Sequence, residues 1–154
     1  METVEEVQEE ITEEAVRLWH YFGQDETPAR IYMAIFFADE PIGLKEISEK
    51  TGYSMSLIST HMDVVERLYD VRRFKKAGSK KIFFTCIHNA QETMEKRMRE
   101  LDRTLENMLA SIEKAEKQLD GKDPAAQSTL RHIKKLKNDY ECFRKAFKKH
   151  NARP

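Results

Sequence analysis

The stretch "VERLYDVRRFKKAGSKKIFFTC", residues 65–86, changes character twice. It opens with helical spacing, turns basic around Ala77-Gly78-Ser79-Lys80, and ends in the aromatic, β-branched run Ile82-Phe83-Phe84-Thr85. Arg72, Arg73, Lys75, Lys76, Lys80 and Lys81 surround a turn in which Gly78 stands where a positive φ is least costly. Val71, Phe74, Ile82 and Phe84 provide apolar faces for packing on a core. The pattern predicts a two-stranded ribbon over 71–87, positively charged with one apolar side, which suits a polyanion. Taken alone, a basic hairpin is more often a solvated edge that discourages sheet pairing, so the segment before it decides.

That segment reads as two short helices. Residues 44–51, "LKEISEKT", make an amphipathic helix stopped by Gly52, and Ser54 caps a second that runs to Tyr69. Two helices joined by a short Gly-containing turn carry the helix-turn-helix signature. In the second, over 54–69, Ile58, Met62, Val65 and Leu68 share one face, and Ser54, Ser56, Ser59 and Thr60 crowd its beginning. Small hydroxyl side chains let a helix end approach DNA and bond to phosphates or base edges, and base contacts concentrate in the first turns of a recognition helix. Capping and solubility would explain one or two of them. A helix-turn-helix followed directly by a ribbon has the order of a winged helix, with the helix in the major groove and the wing on the backbone or minor groove.

Two further helices precede this head. Thr3-Val4-Glu5-Glu6 is a capping box, after which Val4, Val7, Ile11, Leu18 and Phe22 recur at helical spacing until Gly23. Thr27-Pro28 reads as a second start, with proline at the first helical position. Ile31 to Phe37 is apolar on nearly all sides and predicts a central helix, broken by residues 39–43 with Pro41. Beyond the ribbon, Met94, Met98, Leu101, Leu105, Met108, Ile112, Ala115 and Leu119 alternate spacings of four and three, a heptad seam. Residues 120–124, "DGKDP", combine a stop and a start, and Leu130, Ile133, Leu136, Tyr140, Phe143 and Phe147 follow at similar spacing. The expected fold is mainly α: a winged helix-turn-helix with a two-stranded β wing and a C-terminal helical hairpin for dimerisation. Its segments are an N-terminal helix over 1–23, the winged head over 24–88 and the hairpin over 89–154.

At 154 residues the chain has room for a real core. Its 27 basic and 27 acidic residues cancel, but by segment they do not. Residues 1–26 carry nine acidic groups and one basic, 66–81 seven basic and two acidic, and 131–154 nine basic and two acidic. A neutral molecule can still hold local fields. The basic end is expected to complement the acidic start, within one chain or between subunits. Cys86 and Cys142 lie far apart with no ligand spacing and read as buried small hydrophobes, so neither a metal site nor a disulfide framework is expected. No apolar run approaches the ~20 residues of a membrane helix, and no leader is evident, which points to the cytoplasm and no membrane partner. The five histidines are scattered, and there is no phosphate loop and no acid–base pair at motif spacing. Neither catalytic residues nor a cofactor are expected.

Through "TPARIYMAIFF", "LKEISEKTGYSMSLISTHMDVVERL" and "VRRFKKAGSKKIFF" the sequence resembles the GbsR-type branch of the MarR superfamily of winged-helix transcription regulators. The resemblance covers roughly residues 20–87 and departs from the family pattern at Tyr69, Ala77 and Lys80, where members often have a nearby Gly, Pro and Arg. It implies a homodimer on double-stranded DNA, with Ser54, Ser56, Ser59 and Thr60 on the recognition helix and Gly78, Lys80 and Lys81 in the wing. It also implies a small-molecule effector pocket, for which Trp19, Tyr21, Phe22 and Tyr32 are the rings able to cage a quaternary ammonium group; the plainer alternative makes them core and interface aromatics. A scaffold that docks other proteins through its winged helix and coiled coil is the competing function. A basic wing beside a hydroxyl-rich helix start is what such a scaffold does not need.

Overall fold

Thr3 starts the first helix, α1 (Val4–Tyr21), through a complete capping box: its hydroxyl accepts from the Glu6 N–H at 3.2 Å, and the Glu6 carboxylate accepts from the Thr3 N–H at 2.7 Å. The chain leaves α1 through Gly23 at φ +73°. In this computed structural model, which describes residues 1–87, 89–119, 121 and 123–152, the elements that follow are α2 (Glu26–Phe36), β1 (Ile42–Gly43), α3 (Leu44–Thr51), α4 (Met55–Tyr69), β2 (Val71–Lys75), β3 (Ile82–Cys86), α5 (Ala90–Gln118) and α6 (Pro124–Asn151). Expectations resting on His88, Asp120 and Lys122 lie outside the described residues. The chain forms two units, Met1–Met94 and Glu95–Pro154.

The first unit is built around α2. Ala29, Ile31, Tyr32, Met33 and Ile35 are buried there and meet Ile47 of α3, Ile58, Met62, Val65 and Tyr69 of α4, and Val71 and Phe84 of the sheet. Full burial of each large apolar side chain is worth roughly 1.5–3 kcal/mol. Helix α2 begins earlier than Thr27-Pro28 predicts: Asp25 occupies the cap position, and Pro28 sits a little inside the first turn, where its missing N–H still removes no helical bond.

In α1 the correction is larger. The apolar stripe Val4, Val7, Ile11 and Leu18 faces solvent. The inward face is carried instead by Trp19, with Ala15, Val16 and Phe22 beside it. At 100° per residue the two stripes lie roughly a quarter turn apart, and the more conspicuous one is not the core-facing one. Arg30 of α2 also ties α1 down, donating to Glu26 at 2.7 Å, to Glu9 at 2.8 Å and to Glu13. These carboxylates, Glu26 foremost, push its pKa upward.

The sheet has three strands in the order β1-β3-β2, all antiparallel, rather than the two expected. Ile42 pairs with Phe84 and Gly43 with Phe83. Two residues are too few for a period-2 pattern to register, and they lie in a segment that reads as a helix breaker. A side chain at Gly43 would sit 3.0 Å from the Glu46 carboxylate, which accepts from the Gly43 N–H at 3.1 Å and so starts α3. In the wing, Val71 pairs with Cys86, Arg73 with Phe84 and Lys75 with Ile82. Alternation therefore sends Val71 and Phe84 to the core, whereas Phe74 packs on Phe83 on the other face, ring centroids 6.2 Å apart, and Ile82 is exposed.

In the second unit, Asp123 caps α6 by accepting from the Ala125 N–H at 3.2 Å, with Pro124 in the first turn. The two long helices run antiparallel, cross-linked by charge. Lys137 pairs with Glu116 at 3.1 Å, and Arg144 with Asp102 at 2.6 Å and with Glu106. Arg144 holds the Asp102 carboxyl below the usual carboxylate range. Within this unit, Lys137 and Arg144 of the basic end thus find their partners in α5. Leu105 and Ile112 are buried on the heptad seam, but Met108 is exposed, as is Phe143 of α6. Cys142 is exposed, contrary to expectation, whereas Cys86 is half-buried and burial pushes its thiol up to about 11.

Met62, 2% exposed at the centre of α4's inner face, tests how tightly this helix is held. Met62→Ala should cost roughly 2–5 kcal/mol through lost transfer energy and the cavity left behind. Urea unfolding followed by circular dichroism reads the change directly, and a loss below about 1 kcal/mol would mean a loosely packed site.

Candidate nucleic-acid interface

Helix α4 divides cleanly between holding and presenting. Ile58, Met62, Val65 and Tyr69 are buried, while Met55, Ser56, Leu57, Ser59, Thr60 and Asp63 are exposed. Gly52 at φ +74° closes α3, and the Ser48 hydroxyl donates to the Tyr53 carbonyl at 2.6 Å, fixing the turn between the two helices. The hydroxyls are not equivalent. Ser54 is the cap, its oxygen accepting from the Leu57 N–H at 3.1 Å. Thr60 donates back to the Ser56 carbonyl at 2.9 Å and keeps its oxygen as an acceptor. Ser56 and Ser59 stand in solvent.

At its other end α4 stops at Tyr69, and Asp70 takes a left-handed conformation at φ 52° that turns the chain into β2. The wing turn closes with the Ser79 N–H donating to the Lys76 carbonyl at 3.1 Å, one residue earlier than expected, with Gly78 at φ +78° as predicted. Arg72, Lys75, Lys80 and Lys81 are exposed, and the Lys76 ammonium lies 4.4 Å from the centre of the Phe83 ring. The strands thus carry four lysines to a protruding loop.

Arg73 is engaged by two carboxylates of α4. It donates to Glu66 through Nε at 2.6 Å and through Nη2 at 2.9 Å, and Nη2 also reaches Asp63 at 2.9 Å. Glu66, acting first, pushes its pKa upward. Arg73 therefore links β2 to α4 through these carboxylates, with its side chain 45% exposed. Asp63 and Glu66 were missed in the sequence, although Asp63 follows Thr60 by three residues and so had to share its face.

The four candidate cage aromatics do not converge on an open site. Tyr21 is 90% exposed, while Trp19 and Tyr32 are buried. Trp19 meets Tyr32 edge-on at 6.4 Å, and Tyr69 stacks on Tyr32 with centroids 4.5 Å apart and meets Trp19 edge-on at 4.9 Å. Phe22 packs on Trp19 at 5.9 Å. A cleft of about 560 Å³ does open elsewhere in this unit, among α1, α2 and α3, lined by Glu9, Arg30, Met33, Phe37 and Glu49 among others, and none of the four aromatics lines it.

No family model matches the chain, and none of the curated proteins does. Among solved structures, the crystal structure of a transcriptional regulator is similar, with a TM-score of 0.57 at 18% sequence identity over 95% of this chain and 99% of that one. At that identity the likeness establishes the fold. Among the described residues, no helix is long and apolar enough to cross a membrane.

The clamp can be tested without a ligand. Arg73→Ala should release the wing, so that amide exchange quickens along β2 and β3 while global stability falls by less than about 1 kcal/mol, as expected for a largely exposed ion pair. Hydrogen-exchange mass spectrometry beside a thermal melt separates local from global opening; unchanged exchange in both strands would show that the sheet alone holds the wing.

Proposed function

We propose that the protein is a transcription regulator that reads double-stranded DNA as a homodimer, with the start of α4 in the major groove and the wing against the backbone or minor groove. One observation carries the reading: exposed hydroxyls on the first turns of α4 and the exposed lysines of the wing loop belong to a single unit whose core fixes both. The transcriptional regulator of similar fold supports it, as does the resemblance to GbsR-type regulators. Ser56, Ser59 and Thr60 are the reading residues, Ser54 is the cap that supports them, and Arg72, Lys75, Lys76, Lys80 and Lys81 around Gly78 are the phosphate anchors. An exposed polar helix start that bears no acid–base pair also argues for binding rather than catalysis.

Self-association is supported by apolar surface. Val4, Val7, Ile11 and Leu18 form an exposed stripe on α1, and α5 and α6 leave Met108 and Phe143 uncovered. Two-fold dimers present two reading heads to half-sites about one DNA turn apart. Light scattering of the purified protein at micromolar concentration should give twice the chain mass, 18.2 kDa; a monomer that also binds DNA singly would overturn the dimer. The competing scaffold reading draws on the same exposed stripe, and DNA binding separates the two.

Selection of bound duplexes from a random pool, followed by competition binding, tests the function. Lys80→Ala with Lys81→Ala should weaken binding to all duplexes alike and lower the slope of log K against log salt by about 0.9 per lost phosphate contact. Ser56→Ala or Thr60→Ala should instead lower the ratio of selected to scrambled affinity, with melting nearly unchanged. If no sequence is enriched, the regulator reading fails.

A further inference from the structure

Asp63 presents a carboxylate on the face of α4 that bears Ser56, Ser59 and Thr60, an unfavourable group beside a polyanion unless it has a task. Its side chain is 91% exposed, whereas that of Glu66 is 21% exposed. Both meet Arg73, but unequally. Glu66 takes Nε at 2.6 Å and Nη2 at 2.9 Å, the two-pronged arrangement that satisfies a guanidinium, and Asp63 adds only a 2.9 Å bond to the same Nη2. The clamp between β2 and α4 is therefore complete with Glu66. Asp63 engages Arg73 through Oδ1 only, which leaves Oδ2 and the remaining lone pairs of Oδ1 turned toward solvent on the face that bears the hydroxyls.

We infer that Asp63 is a specificity-determining residue that selects a cytosine in the bound DNA, with Arg73 as the positioning residue that orients its carboxylate; this rests on the DNA-reading function proposed above. An ionised carboxylate only accepts hydrogen bonds. In the major groove guanine offers the acceptors N7 and O6, and thymine offers O4 and a methyl group, so both repel or fail to bond it. Adenine offers its N6 amino group, but beside the acceptor N7. Cytosine alone presents an amino donor, N4, and no acceptor of its own in that groove. The ion pair with Arg73 offsets the charge that would otherwise meet the phosphates and holds Oδ1, which leaves Oδ2 as the reading atom. The same carboxylate rejects guanine and thymine, is opposed at adenine by N7 and is best matched by cytosine, so it acts through discrimination more than through affinity.

The test is selection from a random duplex pool with the full chain and two variants, Asp63→Asn and Asp63→Ala, each checked by a thermal melt. The wild-type protein should enrich a cytosine at one position of each half-site. Asp63→Asn should move that position toward adenine, since an amide matches N6 and N7 together, and Asp63→Ala should flatten it, with about a tenfold loss of discrimination there and no change elsewhere. If the wild-type chain enriches a motif that both variants reproduce, the assignment of Asp63 is overturned and DNA reading stands. An equal gain in affinity for every duplex on removing the carboxylate also overturns it, because Asp63 would then only repel. If the wild-type chain enriches nothing, both readings fall together.

Discussion

The stack of Tyr69 on Tyr32, met edge-on by Trp19, joins the three helices on which the first unit depends. Tyr69 is the last residue of α4, Tyr32 sits in the middle of α2, and Trp19 belongs to the last turn of α1. Aromatic pairs of this geometry add about 0.5–1.5 kcal/mol beyond their buried area. Position matters more than the sum. Fixing the last residue of α4 fixes where the chain must turn at Asp70, and hence where β2 begins. Burial, helped by the neighbouring Cys86 and Asp70, pushes the Tyr32 phenol up to about 12, so this phenol stays neutral across ordinary pH. It is a joint, and its lack of an opening is what a joint requires.

Charge then divides labour around that joint. Arg73 and Arg30 look in sequence like two more surface cations, yet each is held by carboxylates: Arg73 by Glu66 and Asp63, Arg30 by Glu9, Glu13 and Glu26. Both are arginines, whose planar fork suits several oxygens at once. The cations exposed on the wing loop are lysines, compact and strongly hydrated, suited to an unstructured phosphate surface. A chain with zero net charge thereby keeps a positive loop, because its carboxylates are consumed elsewhere: two from α1 on Arg30, and four from α5 on Lys137 and Arg144.

Much of the fold was legible because local signals agreed. Thr3, Ser54 and Asp123 cap where their side chains demand, Gly52 and Gly78 take the positive φ their positions require, and Ile58, Met62 and Val65 are buried at helical spacing. Failures came where two patterns compete or where partners are distant. Helix α1 carries two apolar stripes, and periodicity cannot say which one meets α2. Strand β1 is two residues long, below the length at which alternation exists. In the candidate site the serines could be placed on a face, but spacing could not separate the capping role of Ser54 from the exposure of Ser56. Nor could it show that Arg73 is spoken for, since Glu66 is seven residues away and reaches it only across a helix-to-strand turn.

The hairpin of α5 and α6 poses the converse problem. Taken by itself it has two apolar side chains buried among the described residues, Leu105 and Ile112, over helices of 29 and 28 residues. The cross-helix ion pairs add little, since exposed pairs are worth less than about 1 kcal/mol each. The other apolar residues of the seam, Met98, Leu101, Leu119, Ile133 and Leu136 among them, are half-buried, while Met108 and Phe143 are left exposed. The same reasoning applies to Val4, Val7, Ile11 and Leu18 on α1, because an exposed stripe at this spacing gives an amphipathic helix a face suited to another helix. A second copy supplies such faces in matched pairs, which is why the apolar surface left over by this fold, more than the fold itself, argues for association.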